Sequence, residues 1–69
     1  MKVSARNQIP GRIFKINEGA VNAIVEIKVS EDIIISSTIS MESIKELNLK
    51  VGSRAYAVIK STSVMIGIE

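Results

Sequence analysis

From Ala20 to Ser30 the chain alternates with a period of two: Val21, Ala23, Val25, Ile27 and Val29 fall on one face, Asn22, Glu26 and Lys28 on the other. That spacing fits a pleated strand laid against a core and excludes an amphipathic helix, whose apolar residues recur every three or four positions. Ile24 breaks the polar face and suits a contact with a neighbouring surface. The polar link Ser30-Glu31-Asp32 is short enough to return the chain as a hairpin, so Ile33 to Ile39 is expected to pair with this strand. The consecutive isoleucines Ile33, Ile34 and Ile35 imply cover on both faces of that second strand.

The remaining elements are built around this hairpin. Upstream, Ile9-Pro10-Gly11 opens an extended segment in which Pro10 forfeits one ladder donor, as a strand start or edge permits. Adjacent Ile13 and Phe14 break the alternation there and predict a bulge or a strand buried on both faces. Asn17-Glu18-Gly19 closes the segment as a turn with Gly19 available for positive φ. Downstream, Met41, Ile44 and Leu47 are spaced for a short amphipathic helix, with Ser40 as N-cap, Glu42 at the positive end and Asn48 able to stop it in the left-handed conformation. Lys50 to Ser53 is a turn, Arg54 to Lys60 alternates again, and a last short strand is expected over Val64 to Ile68. Five strands, with the helix between the third and fourth, predict an all-β fold: a five-stranded OB-like Greek-key barrel forming a single domain over residues 1–69.

Such a domain is hard to stabilise alone, because ordering each residue costs about 1.5 kcal/mol and a core this small barely offsets it. The chain has no cysteine for a disulfide, and with no histidine either, a structural zinc site is excluded. Oligomerisation is the remaining device, and the 46% of hydrophobic residues supplies apolar surface for subunit interfaces. A net charge of +2, nine Lys and Arg against seven Asp and Glu, is too mild to imply a general affinity for nucleic acid or membranes. No apolar run reaches the length of a signal-peptide core or a membrane span, so the expected location is cytoplasmic.

Three clusters of hydrogen-bond donors sit at element boundaries. Ser4-Ala5-Arg6-Asn7-Gln8 places a hydroxyl, a guanidinium and two carboxamides ahead of the first strand, and arginine's fixed fork of N–H groups suits an oxygen-rich anion. Ser40 and Ser43 flank the first turn of the helix, where free backbone N–H groups gather, although their simplest role is to cap it. Lys60 and Ser61 end a strand where the chain turns. Lys60 and Ser61 are strand neighbours that face opposite ways, so they do not form a nucleophile and base, and no His, Cys, paired carboxylates or glycine-rich phosphate loop is present. Catalysis is not expected. Single-stranded nucleic acid is a second reading of an OB barrel with scattered positive charge, but base stacking needs aromatic platforms, and only Phe14 and Tyr56 are available.

These motifs, together with Ile39-Ser40-Met41-Glu42-Ser43-Ile44, Leu47-Asn48-Leu49-Lys50-Val51-Gly52 and Val58-Ile59-Lys60-Ser61-Thr62-Ser63-Val64-Met65-Ile66, closely resemble the molbindins, the small Mop proteins also found as TOBE-type modules. The resemblance spans Met1 to Ile68. It implies a cytoplasmic homohexamer, a trimer of dimers, that holds molybdate or tungstate at subunit interfaces for storage or homeostasis of the oxyanion. Residue by residue, the implied ligands fall on Ser4 and Arg6, with Ala5 as a backbone donor, on Ser40 and Ser43, and on Lys60 and Ser61. No protein–metal bond is implied, because the metal arrives wrapped in its own oxygens. An oxyanion-sensing regulatory module acting with a partner chain is the alternative role.

Overall fold

A computed structural model describes every residue from Met1 to Glu69. Strands β1 (Asn7–Glu18), β2 (Asn22–Ser30) and β3 (Ile33–Ser40) form an antiparallel meander, helix α1 (Met41–Glu46) follows, and β4 (Arg54–Ile59) returns to pair with β1. The spatial order β3-β2-β1-β4 is that of a Greek key, three hairpin-connected strands with the fourth laid beside the first.

The alternation in β2 holds where it matters. Ala23, Val25 and Ile27 are buried and, with Ile13, Ile44 and Ala57, make the core. Val21 lies before the strand and is exposed. Ile13 pairs with Ile27 and Lys15 with Glu26, so Phe14 is an extra residue at a bulge. The insertion lets Ile13 enter the core while Phe14 turns outward, where the Lys28 ammonium stands 5.1 Å from its ring centroid.

A second irregularity corrects the expectation for the three isoleucines. Lys28 pairs with Ile34 and Ser30 with Ile33, leaving Val29 without an opposite residue. Ile34, opposite Lys28, and Ile33, opposite Ser30, are both exposed, whereas Ile35, opposite Ile27, packs against the core.

Helix α1 forms as its sequence requires. Ser40 caps it, its hydroxyl accepting the Ser43 N–H at 3.0 Å, and Asn48 stops it at φ 52°. Ile44 points from the helix into the core. Gly19 does not adopt positive φ; only Gly52 does among the glycines, at 94°. What demands glycine at position 19 is proximity, because a Cβ there would stand 2.6 Å from the Asn22 carbonyl oxygen.

The expected fifth strand does not join the sheet, which has four strands. After β4 the chain makes one 3-10 turn over Ser61–Ser63, with the Ser63 N–H donating to the Lys60 carbonyl at 2.8 Å. Val64 is extended, at φ −95° and ψ 126°, and Met65, Ile66 and Ile68 beyond it are exposed and pair with no strand of the sheet. The barrel is consequently open between β3 and β4.

Candidate oxyanion site

Antiparallel pairing of β1 with β4 determines which donors meet. Asn7 lies opposite Ile59, and the Asn7 carboxamide donates to the Ile59 carbonyl at 3.2 Å. Arg6 and Lys60, the residues just outside this last pair, therefore flank the same end of the ladder, with Ser61 following Lys60 and Ser4 lying two residues before Arg6. Ala5 anchors the opening segment by burying its methyl group, and its carbonyl accepts the Gln8 carboxamide at 3.1 Å.

The side chains of Ser4, Arg6, Lys60 and Ser61 are exposed and make no hydrogen bond within the chain, and neither cation is in an ion pair. Two like charges brought together without a carboxylate repel each other, and a bound dianion relieves that repulsion while offering oxygens to the hydroxyls. This end of the sheet is suited to a small tetrahedral oxyanion.

Ser40 and Ser43 are elsewhere. Ser40 pairs with Asn22 at the start of β2, and β2 begins where β1 ends, with Ala23 opposite Glu18. The twelve residues of β1 thus run from one donor group to the other, and a single chain brings two of the three clusters together and leaves the third at the far end. In that third cluster the Ser40 hydroxyl donates to the Ser43 oxygen at 2.9 Å while accepting the Ser43 N–H. The proton of Ser40 is committed, so the Ser43 hydroxyl proton is the one free to reach a ligand.

Sequence reasoning missed a further basic feature. Arg12 lies opposite Lys28 on β2 and opposite Arg54 on β4, placing three cations in one row on one face of the sheet. The row lines an open cleft with Pro10, Gly11 and Glu31, and Glu31 reaches the Lys28 ammonium at 3.7 Å. Arg12 donates to the Gly52 carbonyl at 3.2 Å. Only the strand register, including the bulge, reveals this row.

Comparison with known proteins gives consistent results. Residues 3–66 match the TOBE domain. A probable molybdenum-pterin-binding protein of Haemophilus influenzae is 55% identical over 69 residues, the full length of both chains. Among solved structures, MopII from Clostridium pasteurianum superposes with a TM-score of 0.89 at 40% identity, covering 97% of this chain and all of that one. The cytoplasmic molybdate-binding protein ModG, solved with molybdate bound, superposes with a TM-score of 0.92 at 39% identity, covering all of this chain and 49% of that one.

Proposed function

The chain belongs to the TOBE domain family, and from that premise we propose that it binds molybdate or tungstate as an intact oxyanion, for storage or homeostasis in the cytoplasm. One observation supports the reading: Asn7 pairs with Ile59, so Arg6 and Lys60, neither of them in an ion pair, flank the same end of the β1–β4 ladder, with Ser4 and Ser61 on the same two segments. The solved relative that holds molybdate shares this fold.

Arg6 and Lys60 supply two positive charges against a dianion, and the serines and the Ala5 backbone supply direction. Ser43, steered by Ser40, completes the donor set from a second copy, since one chain holds the two groups at opposite ends of β1. The sites then lie at interfaces of a homo-oligomer, a hexamer assembled as a trimer of dimers. Discrimination against sulfate comes from cavity size, because hydrogen bonds spread around a larger anion close poorly on a smaller one. The role is binding rather than catalysis: no step of the reading requires a nucleophile or a proton transfer.

Native mass spectrometry with molybdate, tungstate or excess sulfate tests assembly and ligand together. The expected result is a hexamer that retains several molybdate or tungstate anions and ignores sulfate; a monomer that binds none of them refutes the proposal. Arg6→Ala removes about half of the compensating charge and should abolish most oxyanion affinity. Unchanged binding by a still-hexameric Arg6→Ala protein would take Arg6 out of the site.

A further inference from the structure

Three cations stand in one row across the sheet with little to neutralise them. Lys28 of β2, Arg12 of β1 and Arg54 of β4 are cross-strand neighbours, so the row is about 10 Å long at the spacing of adjacent strands. Like charges directly opposite one another destabilise a sheet. Lys28 has one partner, Glu31 at 3.7 Å, and the Glu31 side chain is 93% exposed. Arg12 and Arg54 are in no ion pair.

The row lines an open cleft of about 330 Å³. Pro10 and Gly11 border it without a long side chain, and Val29 and Ser30 follow Lys28 along its wall. The Ser30 hydroxyl makes no hydrogen bond within the chain. Arg12 is held in place: its guanidinium donates to the Gly52 carbonyl at 3.2 Å, and Gly52 and Ser53 are tied to Ile13 by two backbone hydrogen bonds of 2.8 Å. A guanidinium has several further N–H donors, so this anchor leaves most of the fork free to meet an anion.

The cleft is separate from the oxyanion site. The β1–β4 ladder runs from Asn7 opposite Ile59 to Arg12 opposite Arg54, which puts the row at the end away from Arg6 and Lys60, about 17 Å along the strand. One small tetrahedral anion does not touch both.

We propose that the Arg12–Lys28–Arg54 cleft is a second anion site that takes a diphosphate, free or as the diphosphate group of a nucleotide. Extent and charge select this class. A single phosphate carries about 1.5–2 negative charges and is matched by two of the three cations, whereas two linked phosphates extend along the row and engage all three. Arg12 and Arg54 offer forked N–H groups to phosphate oxygens, and the Lys28 ammonium acts as a point charge. Glu31 releases Lys28 to the stronger negative charge at little cost, because an ion pair this exposed contributes little.

Titrations at low ionic strength, followed by backbone amide chemical shifts in protein first saturated with molybdate, test the site. Inorganic diphosphate should shift Gly11, Arg12, Lys28, Ser30 and Arg54 but not Asn7 or Ile59, and should bind about tenfold more tightly than orthophosphate. The same titration without molybdate should give the same shifts and affinity, so the outcome does not depend on the oxyanion reading. Tighter binding of ADP than of inorganic diphosphate would identify a nucleotide as the source, and the reverse order the free anion. Arg54→Gln breaks no side-chain hydrogen bond or ion pair of the chain, so it should keep the fold while weakening diphosphate about tenfold. Shifts centred on Asn7 and Ile59, competition by molybdate, equal affinity for orthophosphate and diphosphate, or undiminished binding by Arg54→Gln would each overturn the proposal.

Discussion

Gly11→Ala is a sharp test of the packing described for the sheet. Gly11 is on β1, where no positive φ requires glycine, and it lines the cleft beside Arg12. A Cβ built there stands 2.7 Å from both the Lys28 carbonyl oxygen and Cγ2 of Ile27. Neither neighbour yields easily, because Ile27 is a core residue and Lys28 is paired with Arg12 on one side and Ile34 on the other. To restore ordinary contact at 3.4 Å, β2 must retreat by about 0.7 Å along a ladder paired on both sides, a distortion that costs about 1–3 kcal/mol. Loss of backbone freedom in the unfolded chain offsets about 0.4–1 kcal/mol of this. Mid-range values leave a net destabilisation of about 1.3 kcal/mol, which lowers the melting midpoint by roughly 5–10 °C for a chain of this size. Urea and thermal unfolding at fixed protein concentration measure it, since association contributes to apparent stability. An alanine variant as stable as the wild type would refute the close approach of β1 and β2 at Gly11.

Other perturbations have equally definite outcomes. Ser40→Ala removes the N-cap and should cost about 1 kcal/mol by urea unfolding, while Ser40→Gly should cost only a few tenths; equal stability of the alanine variant and the wild type would refute the cap. Arg54→Gln relieves one like-charge neighbour of Arg12 and should raise stability by about 0.2–1 kcal/mol at low ionic strength, less in high salt. Destabilisation by that change would mean that Arg54 makes a favourable contact that outweighs repulsion. Glu42 is exposed on the first turn of α1, and Glu42→Gln should change molybdate affinity little by calorimetric titration; a large gain would show the carboxylate facing the anion.

What could be read from the sequence was what local spacing encodes. The Ala23–Ile27 alternation, the hairpin into β3, the Phe14 bulge and the Ser40-capped helix each depend on residues within a few positions of one another. Ile33 and Ile34 misled because they lie at the end of β3 beside the register irregularity at Val29 and are exposed, and an apolar run does not state whether its cover belongs to the same chain. Val64–Ile68 reads as a strand for the same local reason, but no short-range pattern says which edge receives it. The donor clusters were visible as chemistry. That Arg6 and Lys60 come to one end of the sheet while Ser40 stays apart follows from a pairing between Asn7 and Ile59, 52 positions away in the chain, which periodicity does not report.

That same pairing orders events in time. The β1–β2 and β2–β3 hairpins close loops of a few residues, so their ladders nucleate early, whereas the return of β4 to β1 must first overcome the entropy of a long closure. The Arg6–Lys60 end is therefore assembled late in folding, and its opening and closing should govern how long a bound anion stays. Slow amide exchange at Asn7 and Ile59, made slower by bound molybdate, would be the signature of a binding site that acts as the clasp of its own fold.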